Sequence, residues 1–327
     1  MKAKFIHELK LPVVVAPMFL ISGPQLVIEC CKNGIVGTFP ALNQRTSEGF
    51  EQWLIEIKTS LADFEKETGK KPAPFGVNLI VHHSNPRVKA DLELCMKHQV
   101  PLIITSLGAV SELVNAVHSY GGLVFHDVIK KRHAEKAAEA GVDGLILVAA
   151  GAGGHAGTIN PMPLVAEIKK FFHKTILLAG SISTGRDIAS VKQMGADLAY
   201  MGTRFINTLE SKAPEAYKDM IIGSSASDVV YTAAVSGVPA NFLKPSLEAM
   251  GITEDLWQTA GKMDFGKDTD AAKKEAKAWS TIWSAGHGVA TIDDSLSVVD
   301  LVNRLRQEFM DALEEQQSVL KFYSKKN

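Results

Sequence analysis

The 327-residue sequence has little cysteine, no excess of charge of either sign and no long apolar run. Its three cysteines form neither a C-x-x-C pair nor a disulfide framework, so neither structural zinc nor any other bound metal is expected. Lys and Arg number 35 against 36 Asp and Glu, which excludes the basic surface typical of nucleic-acid binding. The partner is therefore expected to be a small molecule.

The amino-terminal segment also has no export or membrane signal. Its longest apolar run, residues 11–16, is interrupted and followed by proline and is too short for a signal-peptide core or a membrane span. We therefore expect a cytoplasmic protein that does not bind membranes. With 46% apolar and 22% charged residues, the chain is instead expected to fold around a large core.

Short apolar runs alternate with amphipathic stretches of helical length from about residue 11 to residue 205. This rhythm predicts eight strands, at residues 11–16, 35–39, 74–79, 102–105, 123–126, 144–148, 175–179 and 198–201. Two of the intervening helices end in the same pattern, Gly141-Val142-Asp143 and Gly195-Ala196-Asp197. Because the runs are apolar on both faces, we predict an α/β fold, a closed (β/α)8 TIM barrel, with an open doubly wound sheet as the alternative.

The alternation of short apolar runs and amphipathic stretches stops after Arg204. Residues 212–287 contain helical stretches at 213–222, 247–250 and 271–283 and show no clear strand, so we predict an inserted helical lid and substrate domain. Residues 295–322 have apolar residues at helical spacing and can supply the eighth barrel helix. The barrel domain would thus consist of residues 1–211 and 288–327. A hydrophobic lid and rim can self-associate, which leaves a homo-oligomer open.

In such a barrel the active site lies where the strands end. Glycines after the seventh and eighth predicted strands allow close approach of a ligand, and the loops there are the usual phosphate site of barrels. The alternative is that these glycines only make tight turns. We favour a phosphate site made by four residues: Gly180, Ser181, Gly202 and Thr203.

A second group follows the sixth strand, in the run 151–157. His155 lies there among four glycines, including Gly151, Gly153 and Gly154, on a backbone that can approach a flat ring, and imidazole suits proton transfer. A structural or merely exposed histidine is the alternative. No other histidine lies in a loop with four glycines, and no metal-ligand spacing such as H-E-x-x-H occurs.

Polar residues follow two further strands. Asn78 can hydrogen-bond the edge of a heterocycle or simply form a turn. His126 and Asp127 can orient a ligand, or pair with each other and with Lys130.

Five motifs together resemble the nitronate monooxygenase family, formerly called 2-nitropropane dioxygenases. They are V-V-A-P-M, P-F-G-V-N-L, A-G-G-H-A-G, A-G-S-I-S-T-G and G-A-D-L-A-Y-M-G-T-R-F, and the resemblance covers about residues 11–245. It implies an FMN-containing TIM barrel with a helical lid, and oxidation of alkyl nitronates by O₂.

The resemblance also implies roles for individual residues. His155 would be the active-site base, which removes the α-proton of a nitroalkane or orients the nitronate. Gly180, Ser181, Gly202 and Thr203 would hold the FMN phosphate, and Asn78 the pyrimidine edge. The flavin would lie near the backbone of three further residues, Ala16, Pro17 and Met18.

Three departures concern the surroundings of the flavin. Relatives often have glycine soon after the A-P-M methionine, whereas residues 19–22 intervene here before Gly23, and some relatives carry lysine where this chain has Asp127. A common Gly-Gly pair is here Gly180-Ser181, which is compatible with phosphate binding. Two other functions stay open: an NAD(P)H-dependent FMN reductase of quinone or enoyl type in the same fold family, and a barrel that binds a phosphorylated metabolite without redox chemistry.

Overall fold

A computed structural model describes residues 2–82, 85–106, 108, 110–235, 237–259 and 282–324, and eight parallel strands form a nearly closed barrel. The barrel strands are β1 (Val13–Val15), β2 (Thr38–Pro40), β3 (Gly76–Ile80), β4 (Leu102–Ser106), β5 (Leu123–Val128), β6 (Gly144–Val148), β8 (Thr175–Ala179) and β9 (Leu198–Met201). All eight predicted strands are thus present, and the TIM barrel is confirmed.

The barrel closes between its first and last strands. Val13 of β1 pairs with Ala199 of β9, and a parallel bridge joins Val14 to Val36 just before β2. Successive residues of a strand face opposite sides, so Phe125 lies in the interior cluster and Val124 in the layer beneath the helices. This alternation decides which side chains reach a site inside the barrel.

Helices cover the outside of the barrel. They are α1 (Pro24–Lys32), α2 (Ser47–Thr68), α3 (Val88–Lys97), α4 (Ser111–His118), α5 (Lys131–Glu139), α6 (Pro161–Lys169), α7 (Gly185–Met194), the single turn α8 (Thr203–Ile206) and the last helix, α12 (Val298–Ser324). α12 packs against α7 and α1, which confirms the predicted eighth helix. None of the described helices is both long and apolar enough to cross a membrane.

The repeated glycine-aspartate turns have the same hydrogen bonds in both places. Gly141 and Gly195 adopt left-handed φ of 93° and 95°, as helix ends require. Asp143 Oδ2 then accepts from Val124 N at 2.9 Å, and Asp197 Oδ2 accepts from Ile176 N at 3.0 Å. Each aspartate therefore fastens the turn to the beginning of the preceding barrel strand.

The inserted segment is not purely helical. It contains α9 (Glu215–Ile222), α10 (Lys244–Ala249) and α11 (Glu254–Thr259), but also the strands β10 (Val229–Thr232) and β11 (Ala240–Leu243). These strands form an antiparallel sheet with β7 (Gly154–His155), so the expectation of no strand here was wrong. The run Val-Val-Tyr-Thr is β-branched and aromatic, which favours a strand. Most of the predicted helix at 271–283 lies outside the described residues, and a separate lid domain stays a prediction.

Candidate functional site

Three polar side chains line the barrel interior near the carboxyl ends of β3, β4 and β5. Asn78 Nδ2 donates to Ser106 Oγ at 2.9 Å, and Ser106 Oγ donates to Asp127 Oδ2 at 2.6 Å. All three residues occupy inward positions of their strands, by the alternation that also turns Ile104 and Phe125 inward. The structure therefore joins Asn78 to Asp127 through Ser106, a residue that the sequence patterns did not identify.

The Asp127 carboxyl has an unusual environment. Its Oδ1 atom is buried and has no hydrogen-bond partner among the described residues. Burial raises the pKa of the carboxyl to about 6, against the opposing effect of the hydrogen bond from Ser106. Burial also raises the pKa of Tyr200, and the nearby negative charge of Asp127 adds to that increase. Asp127 is therefore expected to gain and lose its proton closer to neutral pH than an ordinary aspartate does.

Replacement of Asp127 by Asn tests this environment. The ordinary aspartate pKa is near 4, so the folded state binds more protons than the unfolded state up to about pH 6. The stability of the wild type therefore falls as the pH rises through this window, and it stays lower above it. Asp127→Asn keeps an acceptor for Ser106 without the charge. Relative to the wild type, the variant should gain about 1 to 2 kcal/mol of unfolding free energy between about pH 4.5 and about pH 8.

Urea unfolding of both proteins at the two pH values measures this gain. His126 also titrates, but it is present in both proteins, so its contribution cancels in the comparison. A stability difference that is the same at both pH values would contradict a buried acid at position 127.

His126 lies on the opposite face of β5 from Asp127. Its Nδ1 atom is 2.7 Å from Thr105 Oγ1, on the side of the strand that carries Val124 and faces the helices. Burial, with a smaller contribution from the charge of His133, lowers the pKa of His126 to about 4. The two neighbours in sequence therefore do not pair with each other, and the structure does not bring the His126 side chain to the interior polar residues.

The segment after β1 lies beside the end of β9. A Cβ on Gly202 would meet Ala16 Cβ at 3.6 Å and Met18 Sδ at 3.8 Å, so these residues are immediate neighbours. Leu20, in the run that distinguishes this chain after the A-P-M motif, has a left-handed φ of 63°. Such a conformation is unusual for leucine and natural for glycine. The departure noted in the sequence is therefore accompanied by local backbone strain.

The four residues of the predicted phosphate site lie at the ends of β8 and β9, as expected. Gly180 and Ser181 have left-handed φ of 126° and 58°. Ser181 N donates to Gly151 O at 3.3 Å, which ties the loop after β8 to the loop after β6. Thr203 Oγ1 already accepts from Gly286 N at 2.9 Å. The main chain of Gly180, Ser181 and Gly202, together with Thr203, thus forms one cluster at the carboxyl end of the barrel. We call it the phosphate-site cluster.

Gly153 and Gly154 contact residues 284–286 at the end of the insertion. A Cβ on Gly153 would lie 2.9 Å from Gly286 N. Any residue other than glycine would therefore clash with this backbone atom unless the backbone shifted. Gly154 N donates to Ser284 Oγ at 2.6 Å, and Ser284 Oγ donates to Asn241 O at the same distance. The two glycines therefore support the packing of this loop, whatever ligand it binds.

His155 lies exposed on β7 at this end of the barrel. Its main chain pairs with Ala240 of β11, and the carbonyl of the next residue, Ala156, accepts from Tyr231 Oη at 3.1 Å. With Gly154 held by Ser284, the backbone is fixed on both sides of the histidine. The structure thus presents an accessible imidazole on a fixed strand, an arrangement suited to proton transfer.

A second histidine of this region was not selected from the sequence. His287 N donates to Gly151 O at 3.0 Å, so the residue lies next to the phosphate-site cluster. It lies between Gly286 and Gly288, and this G-H-G pattern is the sequence signal that could have identified it as a candidate site residue. Nothing in the local sequence shows that a segment so far along the chain returns to the loop after β6.

The sequence profile described as nitronate monooxygenase matches residues 43–308, which is most of the chain and of the barrel. The chain belongs to the nitronate monooxygenase family. A nitronate monooxygenase of Paraburkholderia phytofirmans is 24% identical over 93% of both chains. An indene-carboxyl-CoA dehydrogenase of Rhodococcus jostii is 28% identical over 84% of this chain and 74% of its own length. A putative monooxygenase of Mycobacterium tuberculosis is 33% identical, but the match spans only 41% of that protein.

Solved structures share the fold over nearly the whole chain. FabK from Thermotoga maritima has a TM-score of 0.79 at 22% identity and covers 96% of this chain and 97% of its own. A nitroalkane oxidase from Streptomyces ansochromogenes has a TM-score of 0.76 at 24% identity, over 96% of this chain and 100% of its own. The protein is therefore an oxidoreductase of this family, and the family implies a flavin as cofactor.

The residues present fit a flavin. A Cβ on Gly202 would meet Ala16 Cβ and Met18 Sδ only at ordinary van der Waals distances, so the glycine leaves unfilled space there that a ligand can occupy. Two buried polar atoms, Asp127 Oδ1 and Ser183 Oγ, have no hydrogen-bond partner among the described residues. One is on the interior wall and the other is in the loop after β8. Unpaired buried polar atoms in a native site need an explanation, and a polar ligand is one.

Proposed function

We propose that this protein uses FMN to oxidise alkyl nitronates with O₂ to carbonyl compounds and nitrite. The observation that carries the proposal is the position of His155 in a chain of this family: an accessible imidazole on a fixed strand, at the same end of the barrel as the glycine-rich phosphate cluster. FMN held by these residues would supply the redox chemistry that links the nitronate to oxygen.

The protein's own residues would bind and orient the reactants. Gly180, Ser181, Gly202 and Thr203 would hold the phosphate, and Asn78 and Asp127 would face the ring system from the interior wall. His155 would take the α-proton of a neutral nitroalkane onto an imidazole nitrogen. The resulting imidazolium would then lie beside the nitronate anion and favour its binding.

A second candidate is an NAD(P)H-dependent FMN reductase. It is supported by the relatives, since the match to the Rhodococcus protein named as a CoA dehydrogenase covers most of this chain. The enoyl reductase domain of MlnA also shares the fold, with a TM-score of 0.70 at 16% identity.

Anaerobic mixing separates these functions. The purified protein is mixed with a nitronate and, separately, with NADH and NADPH, while the flavin absorbance is followed. We expect the nitronate alone to change the flavin spectrum quickly. Rapid reduction by a pyridine nucleotide alone would assign the protein to the reductases. A protein without flavin absorbance would instead be the phosphate-binding barrel without redox chemistry.

A further inference from the structure

Residues 285–288 cross the phosphate-site cluster at the carboxyl end of the barrel. Gly286 N donates to Thr203 Oγ1 at 2.9 Å, and His287 N donates to Gly151 O at 3.0 Å. Gly288 packs so closely on Ser183 that a Cβ there would lie 2.1 Å from its Oγ. This short segment is therefore tied to the loops after β6, β8 and β9 at once.

The side chain of His287 lies on the same side of Gly151 as that of Ser181. A Cβ on Gly151 would lie 2.2 Å from Ser181 Oγ and 3.1 Å from His287 Nδ1, so both polar groups border one small volume. Both residues are exposed, and a ligand can reach them. The positive φ of Ser181 fixes the direction of its backbone and side chain at this point.

Neither side chain has a competing polar partner among the described residues. No hydrogen bond or ion pair between the Ser181 or His287 side chain and another group occurs in that part of the chain. Beneath the segment, Ser183 is only 3% exposed, and its Oγ is buried without a hydrogen-bond partner. A hydroxyl and an imidazole thus border one volume where the main chain of Gly180 and Ser181 turns, and the buried hydroxyl of Ser183 lies against Gly288.

We infer that His287 is a direct ligand of the cofactor phosphate, added to the glycine-rich cluster by residues 285–288 at the end of the insertion. The inference rests on the proposed FMN, because its phosphate is the anion that the predicted phosphate site would hold. Imidazole can donate an N–H whether it is neutral or charged, and phosphate oxygens are strong acceptors. Binding of the phosphate would then also fasten residues 285–288 to the barrel.

Two ligands that differ only in the phosphate test the inference. FMN and riboflavin are titrated against the flavin-depleted full chain, and quenching of flavin fluorescence gives each Kd. For His287→Ala we expect FMN to bind about 10- to 100-fold more weakly than to the wild type, as for loss of a hydrogen bond to a charged group. The affinity for riboflavin should change by less than about twofold.

Two further variants complete the experiment. His287→Gln keeps an N–H donor and should recover most of the FMN affinity. His7→Ala removes an exposed histidine from the 3-10 helix Lys4–Glu8 near the chain start and should bind both ligands as the wild type does. Thermal unfolding of the flavin-depleted proteins shows whether each variant is folded.

The possible failures are distinguishable. Equal weakening of FMN and riboflavin in His287→Ala, or unchanged FMN affinity, would overturn the role of His287 and leave the proposed function intact. A wild type that binds both flavins equally would overturn the phosphate contact while a flavin enzyme remains. A wild type that binds neither would overturn both the proposed function and this inference.

Discussion

Replacement of His155 by Asn is expected to slow the turnover of a neutral nitroalkane by about 10²- to 10⁴-fold, which is the usual contribution of a general base. Turnover of the preformed nitronate should fall much less, because that substrate has already lost its α-proton. The flavin content should be unchanged. Steady-state rates with the two forms of the same nitro compound, at equal flavin loading, measure the difference.

The main-chain contacts around His155 do not depend on the identity of its side chain. The β7–β11 pairing, the Gly154 bond to Ser284 and the Ala156 bond to Tyr231 all involve the main chain around His155, not its side chain. Asn can keep these contacts and stay a similar size while it loses the basic nitrogen. The variant should therefore remain folded, with the same strand in the same place.

An equal loss with nitroalkane and nitronate would contradict the base assignment. It would instead indicate that His155 orients the anion, the other role that the family resemblance implies. His7→Asn serves as the control, since His7 is an exposed residue of the first 3-10 helix, and it should leave both rates unchanged.

Replacement of Gly185 by Ala should have the largest effect on stability. A Cβ at this position would lie 2.2 Å from Leu305 O and 2.4 Å from Phe309 N, which are backbone atoms of α12. Because backbone cannot move aside as a flexible side chain does, α7 and α12 must separate. We expect the free energy of unfolding to fall by about 3 kcal/mol, the upper end of ordinary overpacking. Urea unfolding measures it.

Gly223→Ala is the matched control. Gly223 lies at the end of α9 as Gly185 lies at the start of α7, but it has a φ of −79°, and a Cβ there would be 3.4 Å from Asp219 O, which is an ordinary contact. Its stability should stay within about 0.5 kcal/mol of the wild type. If Gly185→Ala were as stable as Gly223→Ala, α12 would not be packed on α7 as closely as the structure has it.

The barrel was predictable because its signals are local. Each strand is a short apolar run, and helix ends have local signals, such as Gly141 after α5 and the Gly23-Pro24 pair where α1 begins. The sheet in the insertion was missed because β10 and β11 are each only four residues long, and β11 pairs with β10 on one side and with two residues of a glycine loop on the other. Tertiary contacts decide which strands pair in this sheet, and the periodicity of apolar residues in the sequence does not reveal them.

The site was predictable only in part, and for the same reason. The glycines and His155 are recognisable from the glycine-rich sequence after the predicted strands, and the structure places them at one end of the barrel. Ser106 and His287 depend on contacts between distant segments, Ser106 with Asp127 and His287 with Gly151. The separation of His126 from Asp127, in contrast, follows from the two-residue period of a strand and was available from the sequence.

The seam between β1 and β9 has a consequence for the order of folding. Most barrel strands pair with a strand that is close in sequence, whereas Val13 pairs with Ala199, which is separated from it by most of the barrel sequence. Such non-local pairings form late, because closing the long intervening loop costs entropy. Ala16 and Gly202 meet at this seam, and Thr203 Oγ1 accepts a hydrogen bond from Gly286 N at the end of the insertion. A partly folded chain therefore has no complete cofactor site, and capture of the flavin would report that the barrel has closed.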